Sequence, residues 1–107
     1  MNKILITTTE EIPGKKVVEI LGVVKGNTVR ARNIARDIGA GFKNLIGGEV
    51  KTYTEMTIQA RDESFNRMVN QAIELKADAI IGMRFMTSMV MPGVAEMLAY
   101  GTAVKLK

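Results

Sequence analysis

Thr52-Tyr53-Thr54-Glu55-Met56-Thr57-Ile58-Gln59-Ala60-Arg61-Asp62-Glu63-Ser64-Phe65-Asn66-Arg67-Met68-Val69-Asn70-Gln71-Ala72-Ile73-Glu74-Leu75 is the stretch that decides the fold. Phe65, Met68, Val69, Ala72 and Ile73 recur at helical spacing and make one apolar stripe. Thr52 with Glu55 three residues later has the form of a capping box. A helix over Tyr53–Leu75 is predicted, about 34 Å long at 1.5 Å per residue. A helix of that length with one apolar face needs a sheet beneath it.

Candidate strands lie on both sides of this helix. Upstream, Lys3 to Thr8 reads as a short strand, and Glu11-Ile12-Pro13-Gly14 reads as a turn. Lys16 to Lys25 then carries Val17, Val18, Ile20, Leu21, Val23 and Val24, the nearly continuous apolar run of a strand covered on both faces, with Gly26-Asn27 closing it. From Asn33, the positions Ile34, Ile38, Phe42, Leu45 and Ile46 predict a short amphipathic helix interrupted by Gly39 and Gly41 and ended by Gly47-Gly48. Downstream, Ala79–Met89 and Glu96–Leu106 read as strands joined through Pro92-Gly93. The expected architecture is α+β in the order ββααββ, a single domain over residues 1–107. It has a four-stranded, mainly antiparallel sheet with antiparallel hairpins and the long helix across one face. The other face would leave the second-strand apolar run open, which points to association.

Composition limits the chemistry. The 107 residues contain no cysteine and no histidine. Disulfides, thiol catalysis, thiolate metal sites and the usual general base are therefore absent. Fifteen Lys and Arg against 11 Asp and Glu give +4, but only Arg30, Arg32 and Arg36 cluster. With two Tyr, three Phe and no Trp, base stacking has little to use, and no DNA or RNA partner is expected. Assembly would nevertheless multiply the charge and allow salt-sensitive attachment to an anionic surface. No apolar run is long enough to span a membrane, and the start Met1-Asn2-Lys3-Ile4-Leu5-Ile6 does not make a secretory segment, so a cytoplasmic location is expected.

Three groups of residues are candidates for chemistry. Met83, Met86, Met89 and Met91 could offer thioethers to a soft cation. Strand alternation puts Met83, Met89 and Met91 on one face and Met86 on the other, so packing explains them better. Asn33, Arg36 and Asp37 stand near Gly39, Gly41, Gly47 and Gly48, and could hold an anion on backbone N–H groups or form a structural ion pair. Asp62, Glu63, Asp78 and Glu96 match no ligand loop and read as solvated carboxylates, with Asp78 helping the turn from helix to strand.

The strings Gly22-Val23-Val24-x-Gly26, Asn33-x-x-Arg36-Asp37-x-x-Ala40-Gly41, Gly47-Gly48, Tyr53, Ala77-Asp78-Ala79-Ile80-Ile81-Gly82 and Gly101-Thr102-Ala103-Val104 together resemble the YbjQ-like family along the whole chain. The resemblance implies a compact α+β subunit in a ring, typically a homopentamer, in a functionally uncharacterised family labelled heavy-metal-binding. A soft-metal site on Cys or His cannot be carried over, so no cofactor is identified and a metal ion rests on the resemblance alone. Lys76 stands where the family usually has glycine, at the expected C′ position of the helix. The reading that follows is a non-catalytic oligomeric binding or scaffold protein holding a metal or small ligand at subunit interfaces. Asn33, Arg36, Asp37, Gly47, Gly48 and Tyr53 are its ligand candidates. The alternative is an enzyme acting on a small anion through Arg36, Asp37 and Tyr53.

Overall fold

The computed structural model describes residues 4–31 and 48–107, and of residues 31 and 48–53 the backbone alone. The elements are β1 (Leu5–Ile6), β2 (Val17–Ala31), α1 (Gly48–Glu74), β3 (Ala79–Met91) and β4 (Val94–Leu106). The predicted short helix from Asn33 lies outside the described residues. The strands form one sheet in the order β1-β3-β4-β2.

The sheet is mixed, and here the structure corrects the expected hairpins. β4 pairs antiparallel with β2 and β3, but β1 pairs parallel with the start of β3 through Leu5↔Ala79 and Ile6↔Ile80. The ten residues between β1 and β2 carry the chain from one edge of the sheet to the other, too far for a tight hairpin. They are pinned on the way, by Thr7 N–H to Ile80 O, Gly82 N–H to Thr9 O and Met83 N–H to Thr7 O. The predicted Pro92-Gly93 turn is present, with Gly93 at φ 78°, the positive value required after proline in a type II turn.

Two element boundaries also differ from expectation. Gly26 and Asn27 do not end β2, which continues to Ala31 in register with Val94. A Cβ at Gly26 would lie 2.2 Å from Ser64 O and 2.6 Å from Met68 N, so this glycine is where the helix backbone rests on the strand. At the other boundary, α1 begins at Gly48, so Gly48 opens a helix instead of closing one. Thr52 and Glu55 lie within the helix, not at its start. The helix C-terminus behaves as predicted. Lys76 has φ 61°, its N–H bonds to Ile73 O and that of Ala77 bonds to Ala72 O, which is the Schellman pattern with Lys76 at C′.

The core lies between α1 and one face of the sheet. Ala60, Ser64, Met68 and Ala72, each four residues after the last, are the buried line of the helix. They face Val24, Gly26 and Thr28 of β2 and Ala99 and Ala103 of β4. Small residues on both sides let the layers approach closely. Ile80 and Met83 complete the cluster, with Ile4, Ile6, Leu21, Phe65, Val69 and Ala77 around it. Ser64, wholly buried, lies 2.9 Å from both Thr28 Oγ1 and Met97 O. With one hydroxyl hydrogen it donates to the carbonyl and accepts from Thr28, so every buried oxygen there is satisfied.

Burial is uneven. The open face of the sheet leaves Val23 70% and Ile20 71% exposed, and every residue of β3 from Arg84 to Met91 is exposed. The chain measures 55 × 24 × 22 Å with a radius of gyration of 17.4 Å. A compact domain of this length would have about 13 Å.

Candidate functional site

Asn33, Arg36, Asp37 and Gly47 lie outside the described residues; Gly48 is the first residue of α1, and Tyr53 lies further along it. The methionines do not converge. Met83 is core, 5% exposed, whereas Met89 is 74% exposed and six residues further along the strand, about 20 Å at 3.3 Å per residue. A register shift between Met89 and Met91 also corrects the expected alternation: Met89 faces Ala95 but Met91 faces Val94, so Met91 leaves the face of Met89.

These donors do not fit a heavy-metal site within one chain. The sequence lacks the thiolate and imidazole ligands that soft and borderline metals favour. Among the described residues no three carboxylates come together either.

The carboxylates have structural partners. Glu63 is bound on one oxygen by Arg30 of β2 and on the other by Arg67 one helical turn later. Arg67 also donates to Asn27 O at 2.6 Å, and Gln71 Oε1 accepts from Lys25 N–H at 2.8 Å. Both contacts occupy backbone groups on the outer edge of β2, so α1 blunts part of that edge. Asp78 Oδ2 accepts from Leu106 N–H at 2.9 Å, closing the sheet below the helix, close to its expected turn role.

Sequence reading missed a cleft of about 1130 Å³ between the Thr7–Lys16 segment and the open sheet face. Its lining includes Thr8, Thr9, Lys15, Lys16 and Arg84, with Ile12, Ile20 and Ile81 as apolar surface and Glu10 and Glu11 on the same segment. The segment is shaped locally. Thr9 Oγ1 donates to Glu11 O at 2.7 Å and lies 2.8 Å from Thr7 Oγ1. Lys15 N–H bonds to Ile12 O at 3.1 Å, closing a turn over Pro13 and Gly14, with Gly14 at φ 79°. Arg84 Nη1 donates to Thr8 O and Met83 O, both at 2.9 Å. The signal for this site in the sequence is the run Lys15-Lys16 beside the proline-glycine turn.

Curated relatives named UPF0145 protein are 60% identical in Methanoculleus marisnigri, over 95% of each chain, and 57% identical in Archaeoglobus fulgidus, over 98% of this chain and 97% of that one. The relative in Thermotoga maritima is 56% identical over 96% and 97%. A crystal structure of a protein of unknown function of the DUF74 family from Pediococcus pentosaceus has TM-score 0.69 at 23% identity, covering 97% of this chain and 98% of that one, and so shares the fold. The family model described as "Putative heavy-metal-binding" matches residues 4–107. The chain belongs to the YbjQ family.

Proposed function

We propose that this protein is a cytoplasmic homo-oligomeric binding protein without turnover, assembled as a ring through the exposed half of β3. The observation that carries the reading is the segment Phe85–Met91. It is exposed at every residue, it carries Phe85, Met86, Met89, Val90 and Met91, and it holds no formal charge. Among the described residues, backbone bonding along this edge of β3 ends at Met83, whose N–H bonds to Thr7 O. A long apolar strand edge with no partner among the described residues invites another strand.

A second copy is the occupant these features favour. Every copy of this chain carries strands able to pair with that edge. An edge of β3 meeting a different surface on the next copy would be a heterologous contact, which closes into a ring when the rotation allows. The pentamer implied by the family resemblance is one such closure. The lack of histidine and cysteine supports binding over catalysis.

Native mass spectrometry of protein purified without added metal tests this directly. A closed oligomer of defined subunit number is expected. A monomer across the micromolar range would overturn the assembly reading.

A further inference from the structure

We propose that the cleft beside the Thr7–Lys16 segment binds a small aliphatic carboxylate, with Arg84 gripping the head group and Ile12, Ile20 and Ile81 receiving the body. This deepens the binding reading above by naming a site and a ligand class, and it needs residues of one chain only.

Arg84 is the anchor because its orientation is already fixed. The two hydrogens of Nη1 are taken by Thr8 O and Met83 O. Of the five guanidinium donors, the Nε–H and the two on Nη2 remain, and no carboxylate pairs with Arg84 among the described residues. That remaining edge presents two parallel N–H groups, the arrangement that matches both oxygens of a carboxylate. Holding the guanidinium before binding lowers the ordering cost of the complex.

The charge balance selects the head group. Lys15, Lys16 and Arg84 line the cleft together with Glu10 and Glu11, three cations against two carboxylates, a formal surplus of one. A singly charged anion is matched, whereas a phosphate dianion would leave excess negative charge beside the two glutamates. The apolar surface selects the body. Ile20 is 71% exposed, and Ile12 and Ile81 stand in the same lining. An alkyl chain laid across them would remove apolar area from water on both sides.

Isothermal titration of the intact protein with sodium hexanoate, acetate and hexan-1-ol tests the proposal. Hexanoate should bind with Kd at or below about 1 mM, and acetate and hexanol at least about tenfold more weakly, because each keeps half of the recognition. Arg84→Lys retains the charge but loses the paired edge, and should weaken hexanoate about tenfold. Ile20→Asp puts a carboxylate on an exposed part of the lining and should abolish binding while the thermal midpoint stays unchanged. No hexanoate heat up to several millimolar, or equal affinity in wild type and both variants, would overturn the site. Native mass spectra of the same samples separate the two readings. Loss of binding with the assembly intact supports the cleft, whereas hexanoate binding by a monomer upholds the cleft and sinks the oligomer alone.

Discussion

Gly26 and Lys76 each occupy a position where the backbone sets the residue's cost. At Gly26 an added methyl group would meet Ser64 O and Met68 N, backbone atoms that can yield only if the helix moves as a whole. Gly26→Ala should therefore lose about 3 kcal/mol, the upper end of the overpacking range. At Gly101 the nearest obstacle is the Ile80 Cγ2 methyl at 2.6 Å, a side-chain atom with some freedom. Gly101→Ala should cost less, and urea unfolding of the pair checks the order; equal losses would mean that the helix does not rest on β2 at Gly26. Lys76 presents the opposite case, since its φ of 61° is in the left-handed region, where a Cβ is unfavourable by about 1 kcal/mol. Lys76→Gly should stabilise by roughly 0.5–1 kcal/mol, reduced by the greater freedom of glycine in the unfolded chain. No change in the urea midpoint would count against a strained cap. Of these two positions only Lys76 was legible in sequence, because helix C′ glycine has a fixed place relative to the apolar stripe. Gly26 looked like a strand terminator, since a glycine that ends a strand and one that admits a neighbouring backbone are the same letter.

At the scale of elements, α1 does more than cover the core. Arg67 and Gln71 reach over its side to the outer edge of β2, and Glu63 ties Arg30 to the same helix. The Glu63 side chain is 34% exposed and that of Arg67 54%, so these ion pairs are largely solvent-screened. Glu63→Gln should lower stability by less than about 1 kcal/mol at low ionic strength. The difference should shrink in 1 M salt, where the screening length falls to about 3 Å. A larger or salt-independent loss in chemical denaturation would assign Glu63 a buried role instead. The helix itself was legible because its stripe repeats over several turns, and the β3–β4 hairpin because proline and glycine stand between two apolar runs. The parallel β1–β3 pairing was not. It is set by contacts between residues more than seventy positions apart, which no local pattern encodes. The cleft was hidden for the same reason, since Arg84 and the Thr8 carbonyl meet only once β1 lies against β3.

For the molecule as a whole, the elongated shape and the exposed strand bear on one question. Met86, 56% exposed, and Val90, 61% exposed, both lie in the exposed half of β3. In an isolated chain, replacing such residues changes stability by no more than about 0.5 kcal/mol, because they already meet water. Across an assembled interface, each substitution to glutamate would bury an unpaired charge, which costs several kcal/mol per copy. Met86→Glu and Val90→Glu should therefore break the oligomer while leaving the secondary structure of each chain in place. Small-angle scattering reads the outcome, since a released monomer should approach the 17.4 Å radius of gyration of the single chain and the wild-type assembly should exceed it clearly. If wild type and both variants scatter alike near that value, the exposed half of β3 is not a contact between copies, and its apolar residues need a partner of another kind.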